Sequence, residues 1–408
     1  MSRSLAGIRV IDMGRIVSAP WGAQTLADLG ADVIKLERPG RGDDMRTYGP
    51  SFVRDSNGNA TPESGNYLCS NRNKRSVTCD LTKPGGQEIV RRLVSKSDVL
   101  IENYKVGDLA RYGLDYESLR AINPDLIYCS ITGFGQSGPY AKQPGYDAAF
   151  QGLSGMMSVT GEPDGEPQRV GVYVIDEMTG LYAAIAILAA LRHRDRARAT
   201  GEPGGQYIDL ALLDVGVAAM APRNVEWTLN RSLPERLGTA SPGSAPAQVF
   251  RCSDGYLNIQ AGAEPDYRKL CDALNLPELK EDGRFATRMQ RVNHQAVLIS
   301  LLQERIEQRT VRNLYEDLVA RGVVASPIYR ADQVVKDPQV KHRGLLVDVP
   351  HPTAGTVTLF ASPIRMSETP VDRYVAPPTI GQHCEEVLGE LLGYSEAERD
   401  ALKAAGAI

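Results

Sequence analysis

One aspartate, Asp176, lies where a carboxylate would sit close to the N-terminus of a predicted helix. It lies in the segment VGVYVIDEMTG, between an apolar run and a helix that is predicted to begin near Thr179. The dipole of a helix stabilises the charged form of a carboxylate near its N-terminus and so lowers its basicity. Aspartate is also a frequent helix cap, and on position alone capping is the favoured interpretation.

Three glycines after a predicted strand form a second candidate site. Gly133, Gly135 and Gly138 spell GxGxxG, the turn that leads into a pyrophosphate-binding helix in dinucleotide-binding folds. Here Pro139 follows at once, and the next residues, YAKQPGYD, are typical of turns. The pattern argues against a nicotinamide or flavin site and predicts a glycine-rich ligand loop at the end of a strand.

Two clusters of basic residues lie in turns next to strand ends. The first cluster is Arg38, Arg41 and Arg46, and the second is Arg72, Lys74 and Arg75. Guanidinium groups pair well with phosphate oxygens, so two such turns at one sheet edge could hold a polyphosphate ligand. A solvated surface position is the alternative for both clusters.

Other residue patterns disfavour several classes of function. The six cysteines form no CxxC pair and have no histidine at metal-ligand spacing, which predicts reduced thiols and no metal site. The five histidines accompany no GxSxG elbow and are expected at the surface, so a Ser-His-Asp hydrolase is disfavoured. The formal net charge of -4 gives no field that would favour nucleic acid.

The N-terminal segment and the longest apolar run predict a cytoplasmic protein without membrane attachment. The segment MSRSLAGIRVIDMG lacks the apolar stretch of a signal peptide. The longest apolar run, LYAAIAILAAL, is too short to cross a bilayer and is expected to form a buried helix.

The elements that must position these residues alternate between strand and helix. The strand-like GIRVIDMG, the helical WGAQTLADLGA and the strand-like DVIKLE begin a series that predicts a parallel, doubly wound α/β sheet. A chain of 408 residues is expected to form two domains, or one large domain with an insertion. We predict a large domain at 1–205, a linker at 206–230, a small α+β domain at 231–330, and a linker with a C-terminal return to the large domain at 331–408.

The order of these motifs resembles the class III CoA-transferase family, of the formyl-CoA transferase and carnitine dehydratase type. The resemblance covers nearly the whole chain. Its motifs are AGIRVIDMGRIVSAPWGAQTLADLGADVIKLERPGRGDDMR, NRNKRSVTCDL, DVLIENY, LIYCSITGFGQSGPY, GYD at 145–147, VIDEMTGLYAAIAILAAL and GGQYIDLALLD.

The resemblance implies that Asp176 is the nucleophile and not simply a helix cap. It implies an aspartyl-CoA thioester intermediate, no metal, no tightly bound cofactor, and a coenzyme A thioester as substrate. The implied fold is an interlocked ring homodimer with a Rossmann-like large domain. The implied CoA contacts are Val17, Ser18, Arg38, Leu81, Asn103, Tyr104, Lys105 and Arg111, with Tyr146 near the thioester.

Two other functions fit the same resemblance. An α-methylacyl-CoA racemase needs a base and an acid on either side of an α-carbon, and such members carry histidine where this chain has Tyr146. A non-catalytic CoA-binding protein would keep the basic contacts without needing Asp176. The missing histidine and the presence of Asp176 favour the transferase.

The segments around the implied site resemble those of succinyl-CoA dependent dicarboxylate transferases. We therefore expect succinyl-CoA as donor and a four- to six-carbon dicarboxylate, or its hydroxy derivative, as acceptor. The segment ASPGSAPAQVF replaces the glycine run of the formate and oxalate enzymes, which argues against oxalate. Arg46 or Arg169 could bind the second carboxylate of the acceptor, with a surface position as the alternative.

Overall fold

The computed structural model describes residues 3–55 and 57–408. The chain divides into two compact units. The first unit contains the chain up to Met156, then Val170–Asn224 and Gln339–Ile408. The second unit contains Met157–Arg169 and Val225–Pro338.

A six-stranded, wholly parallel sheet forms the centre of the first unit. In chain order its strands are Arg9–Asp12, Asp32–Glu37, Lys74–Thr78, Val99–Glu102, Ile127–Thr132 and Gln206–Ala211. Their spatial order is third, second, first, fourth, fifth, sixth, which is a common order of doubly wound dinucleotide-binding sheets. The prediction of an α/β fold with a large parallel sheet is confirmed.

Hydrophobic cores cover both faces of this sheet, because successive residues of a strand point to opposite sides. Val10 packs in one core with the helices Ser18–Asp28 and Val174–Arg198. Ile11 packs in the other core with the helix Pro84–Val94. Strands buried on both faces have nearly continuous apolar sequences, as Val99–Glu102 does here with the sequence VLIE.

The remaining elements of the first unit are short. Its other helices and helical turns are Asp44–Thr47, Gly65–Ser70, Ala110–Tyr112, Tyr116–Arg120, Asp147–Leu153, Leu212–Ala219, a π-helix at Glu386–Leu391, and Glu396–Ala404. Two antiparallel pairs of strands are Phe52–Arg54 with Ala60–Ser64 and Leu346–His351 with Gly355–Phe360. Val387 and Leu388 of the C-terminal tail lie in the same core as Ile11.

The second unit is a smaller α+β structure. Its antiparallel sheet places Tyr256–Gln260 between Ala247–Arg251 and Val324–Pro327. Its helices include Glu264–Ala273, Glu278–Glu281, Arg288–Asn293, Gln295–Ile306, Val311–Ala320 and Ala331–Val334. A separate core that includes Phe250, Leu270 and Leu302 holds them together. Among the described residues, three further helices cross the unit boundaries: Met156–Val159, Ala221–Asn230 and Pro338–His342.

The structure differs from the predicted domain limits at 206–230. This segment was expected to be a linker, but it begins with the sixth strand, Gln206–Ala211, which pairs along its length with Ile127–Thr132. The polar sequence RDRARATGEPGG, at the predicted end of the large domain, ends the long helix and leads into that strand.

The helix Val174–Arg198 is longer than its apolar run suggested. With 25 residues and a mean hydropathy of 1.7 in its most apolar window, it could cross a membrane by length and composition alone. Half of that window is buried inside the structure, and Ala183 and Ile187 belong to the core beneath the sheet. The helix is therefore a core element of the first unit, although the expectation that it is too short was wrong.

Two glycines allow this helix and the helix Ser18–Asp28 to cross with their backbones in contact. A Cβ atom on Gly180 would lie 2.6 Å from the carbonyl oxygen of Ser18. A Cβ atom on Gly22 would lie 2.8 Å from the carbonyl oxygen of Gly180. A close-packed core has no space for either atom, so the crossing requires glycine at both positions.

We expect Gly180→Val to lower the free energy of unfolding by about 2 kcal/mol or more, because an overpacked contact forces the backbone to move. The measurement is the midpoint of urea unfolding followed by circular dichroism. The control is Gly243→Val, since a Cβ atom there would meet nothing within 4 Å. Equal midpoints for the two variants would contradict the close crossing.

Candidate active site

Asp176 is the third residue of the long helix, and it is 8% exposed. It does not cap the helix. That role belongs to Asp147, whose Oδ1 accepts hydrogen bonds from the backbone N–H groups of Ile175 at 2.8 Å and Asp176 at 3.1 Å. The capping interpretation of Asp176 is therefore wrong, and its carboxylate is left available for other contacts.

Asp147 is itself held in place by a buried amide. The Nε2 of Gln151 donates to Oδ2 of Asp147 at 2.5 Å, and the Oε1 of Gln151 accepts from the N–H of Val170 at 2.8 Å. Gln151 lies one turn after Asp147 in the helix Asp147–Leu153. The side-chain amide of Gln151 thus holds in place the Asp147 carboxylate that caps the long helix. The sequence contained the GYD motif, but nothing in it indicated that this aspartate caps a helix 28 residues further on.

Burial raises the pKa of the Asp176 carboxyl to about 7, with a further contribution from the negative charge of Asp147. A hydrogen bond from the Ser18 hydroxyl lowers the pKa and so opposes this rise. The negative charge of Glu177 raises the pKa further, by less than Asp147 does. The sequence-based expectation that the helix N-terminus lowers the basicity of Asp176 was wrong, because desolvation and a neighbouring carboxylate outweigh the dipole. The result is a more basic carboxylate than an ordinary aspartate.

Two cavities of the first unit contain nearly all of the predicted site residues. Asp176 opens into a cavity of about 260 Å³. The predicted residues that line it are Ser18, Asn103, Tyr104, Lys105 and Tyr146. A second cavity, of about 190 Å³, is lined by Arg38, Leu81, Tyr104 and Arg111. Tyr104 and Arg15 line both, so the two cavities adjoin.

Val17 is the predicted contact that lines neither cavity. Its side chain is buried against Met45 and Tyr67. Its neighbours Ile16 and Ser18 both line the Asp176 cavity. The structure therefore places the segment Arg15–Ser18 at the site but turns the Val17 side chain into the core.

Buried charges hold the backbone of this segment. Asp12 accepts from the N–H of Gly14 at 2.9 Å, and the Nζ of Lys35 donates to the Gly14 carbonyl at 2.8 Å. Asp43 accepts from the N–H of Ile16 at 3.1 Å and pairs with Lys35 at 2.8 Å. Ile16 has a φ of 68°, an uncommon conformation for a β-branched residue, which these contacts stabilise. Lys35, which lies inside the otherwise apolar run VIKL, is the feature of the sequence that could have indicated this network.

Most of the predicted basic clusters serve the structure and not a ligand. Arg72 pairs with Asp28, Lys74 with Asp12, and Arg75 with Asp32 and Glu386, so carboxylates neutralise the second cluster. In the first cluster only Arg38 lines a cavity. Arg41 pairs with Asp44 at 3.0 Å and lines neither cavity.

Arg46 cannot bind the second carboxylate of an acceptor. It is 1% exposed, and its guanidinium bonds Glu37, Glu63 and the hydroxyl of Tyr67. Arg169, the other candidate, is exposed in the second unit.

One histidine, His351, is buried and lies 3.1 Å from Glu63. The prediction that the histidines lie at the surface is therefore wrong for this residue.

The glycine motif forms a loop and leads into no dinucleotide-binding helix. Gly135 and Gly138 have φ values of 86° and 95°, and the next helix begins only at Asp147. Gly133 lines the Asp176 cavity, and a Cβ atom there would lie 2.7 Å from the ring of Phe150. The motif thus supplies backbone close to Asp176, as a ligand loop would. Within the described ranges, no group of three His, Cys, Asp or Glu residues could hold a metal ion.

We expect Asp147→Asn to lower the pKa of Asp176 below about 7, because the amide keeps the capping oxygen but removes the negative charge. The measurement is an NMR titration of protein labelled with ¹³C at the aspartate carboxyl, with the Asp176 signal assigned from Asp176→Asn. Asp195→Asn, on the same helix, is the control and leaves this pKa unchanged. A pKa that stays the same or rises in Asp147→Asn contradicts the assignment.

Known proteins with similar sequences and structures identify the family. The family described as CoA-transferase family III matches residues 5–384. A succinate–glutarate CoA-transferase of Agrobacterium fabrum is 46% identical over 388 residues, 95% of each chain. A human succinyl-CoA:glutarate CoA-transferase is 37% identical over 406 residues, 100% of this chain and 90% of the relative.

A solved structure gives the same result. The crystal structure of a CAIB/BAIF family protein from Brucella suis has a TM-score of 0.87 and 44% identity, over 96% of this chain and 100% of that one. These findings confirm the resemblance that the sequence motifs indicated. The chain belongs to CoA-transferase family III and is a CoA-transferase.

Proposed function

We propose that the protein moves CoA from succinyl-CoA to a dicarboxylate, with Asp176 as the covalent carrier. The observation that carries this proposal is that Asp176 is nine-tenths buried, is released from capping by Asp147, and lines a cavity that adjoins a second cavity. Three arginines, Arg15, Arg38 and Arg111, are among the residues that line the second cavity. The named substrates of the Agrobacterium and human relatives support the choice of succinyl-CoA as donor and a five-carbon dicarboxylate as acceptor.

The proposed reaction begins when a carboxylate oxygen of Asp176 attacks the thioester carbonyl of succinyl-CoA. The carbon–sulfur bond breaks, and CoA leaves as a thiolate while succinyl and Asp176 share a mixed anhydride. The thiolate then attacks the Asp176 carbonyl, succinate leaves, and an aspartyl-CoA thioester remains. The acceptor dicarboxylate reverses these steps and leaves as its CoA thioester, which restores the carboxylate.

The residues around Asp176 fit these steps. The raised pKa of Asp176 makes its carboxylate a better nucleophile than an ordinary aspartate. Gly133 and Gly145 line the same cavity, where backbone N–H groups can stabilise the oxyanion of a tetrahedral intermediate.

We assign the second cavity to the nucleotide end of CoA. Arg38 and Arg111 line it, and guanidinium groups pair with phosphate oxygens. Arg111 also pairs with Asp108 at 2.7 Å in the same cavity, so Arg38 is the main candidate of the two. Lys105 and Asn103 line the first cavity, towards the thioester. Binding energy from the nucleotide end can then hold the thioester against Asp176. CoA enters as a substrate, and we propose no tightly bound cofactor.

The racemase alternative has less support at this site. Residue 146, where the racemase-like members carry histidine, is a tyrosine whose side chain is 68% exposed. Among the described residues, no histidine lines the Asp176 cavity, so the histidine of the racemase-like proton relay has no counterpart there.

We further propose a cytoplasmic homodimer of interlocked rings with a Rossmann-like large domain. Leu181, Tyr182 and Ile185 on the long helix are apolar and between 43% and 60% exposed. Apolar side chains grouped in this way are typical of a surface that another chain covers.

We expect wild-type protein to form glutaryl-CoA from succinyl-CoA and glutarate, and Asp176→Asn to lose this exchange at least about a thousandfold, because an amide cannot act as the nucleophile. The assay is chromatographic separation of the two thioesters. Calorimetry should show that Asp176→Asn still binds CoA, which separates loss of chemistry from loss of folding. Asp195→Asn is the matched control and keeps the wild-type rate.

A panel of acids tests the acceptor class. Monocarboxylates of the same chain length should react much more slowly than glutarate. Equal rates would contradict the dicarboxylate assignment, and a normal rate in Asp176→Asn would contradict the covalent mechanism.

A further inference from the structure

We propose that Arg15 binds the distal carboxylate of the dicarboxylate substrate and so determines the acceptor class. This inference rests on the proposed function, because it names the residue that would recognise the second acid group. The sequence predicts Arg46 or Arg169 for this role. Arg46 is paired with the buried carboxylates of Glu37 and Glu63, and Arg169 is exposed in the second unit.

The position of Arg15 is suited to this role. It lines the cavity that contains Asp176 and also the adjoining cavity. It directly precedes Ile16 and lies three residues before Ser18, whose hydroxyl bonds Asp176. A substrate with one carboxyl at Asp176 would therefore have its other end in a cavity that Arg15 also lines.

Arg15 is held in one orientation before any ligand binds. Asn103 clamps its backbone from both sides, accepting from its N–H at 2.9 Å and donating to its carbonyl at 2.8 Å. The guanidinium carbon lies 5.0 Å from the ring centre of Tyr104, over its face. A guanidinium fixed by stacking loses little entropy when it binds a planar carboxylate with two hydrogen bonds.

The charge of Arg15 is only partly neutralised. Among the described residues its one ion pair is a long contact of 3.5 Å from Nη1 to Asp44, which lies closer, at 3.0 Å, to Arg41. The Nε of Arg15 is buried and has no hydrogen-bond partner within the described chain. With only this long contact at its Nη atoms, the guanidinium keeps N–H donors for a ligand carboxylate.

Two other cations line the Asp176 cavity, Lys105 and Lys142, but both side chains are exposed. A flexible, solvated ammonium holds a carboxylate less specifically than a planar guanidinium does. The same chemistry would also suit a phosphate of CoA, since Arg15 faces both cavities. The experiment must therefore separate these two anions.

The test uses enzyme that has been loaded with CoA from succinyl-CoA and freed of excess donor, so that only the acceptor varies. The rate of acyl-CoA formation is measured in a single turnover with glutarate and with its monomethyl ester, which masks the distal carboxylate. We expect Arg15→Gln to lower the preference for glutarate over the ester by about ten- to a hundredfold. Arg15→Lys keeps the positive charge but not the planar pair of N–H donors. Its preference for glutarate should lie between those of the wild type and Arg15→Gln.

Calorimetric titration with CoA is the second measurement. Affinity of Arg15→Gln for CoA should stay within about twofold of wild type. The control is Arg41→Gln, which removes the other guanidinium at Asp44 but lies outside both cavities, and which should keep the wild-type preference.

An unchanged preference in Arg15→Gln together with weaker CoA binding would overturn the inference and assign Arg15 to a CoA phosphate. An unchanged preference with normal CoA binding would overturn it as well. If wild-type enzyme cannot be loaded with CoA at all, the proposed function itself fails, and that result differs from a failure confined to Arg15.

Discussion

The backbone contact between the helices Ser18–Asp28 and Val174–Arg198 is the constraint on which the site depends. Gly22 and Gly180 let the two helices touch, and this contact fixes Ser18 beside Asp176. The first helix carries the segment that precedes it, including Arg15, into the same cavity. One close crossing in the core thus positions the carboxylate, the hydroxyl that bonds it and the neighbouring cation.

Asp147 links the local structure of the helix to the chemistry of its first turn. By accepting from two N–H groups, it satisfies donors that would otherwise attract the Asp176 carboxylate. Its charge also raises the pKa of Asp176, in addition to the effect of burial. A single buried carboxylate therefore both releases Asp176 from a structural role and makes it more basic.

Local sequence predicted the parallel sheet because its strands are apolar on both faces, and motif order predicted the family. The environment of Asp176 could not be predicted in this way, since its cap comes from Asp147 and its hydroxyl partner from Ser18, both distant in the chain. The roles of the two basic clusters could not be predicted for the same reason. Whether Arg72 or Arg46 faces solvent or a buried carboxylate depends on strands and helices that meet only in the folded chain.

Mass spectrometry of the peptide that contains Asp176 tests the central claim most directly. After brief incubation with succinyl-CoA and rapid denaturation, this peptide should gain the mass of CoA less one water, and prior addition of succinate should remove the gain. If the peptide keeps its unmodified mass while the enzyme turns over, Asp176 is not the covalent carrier and the account is contradicted.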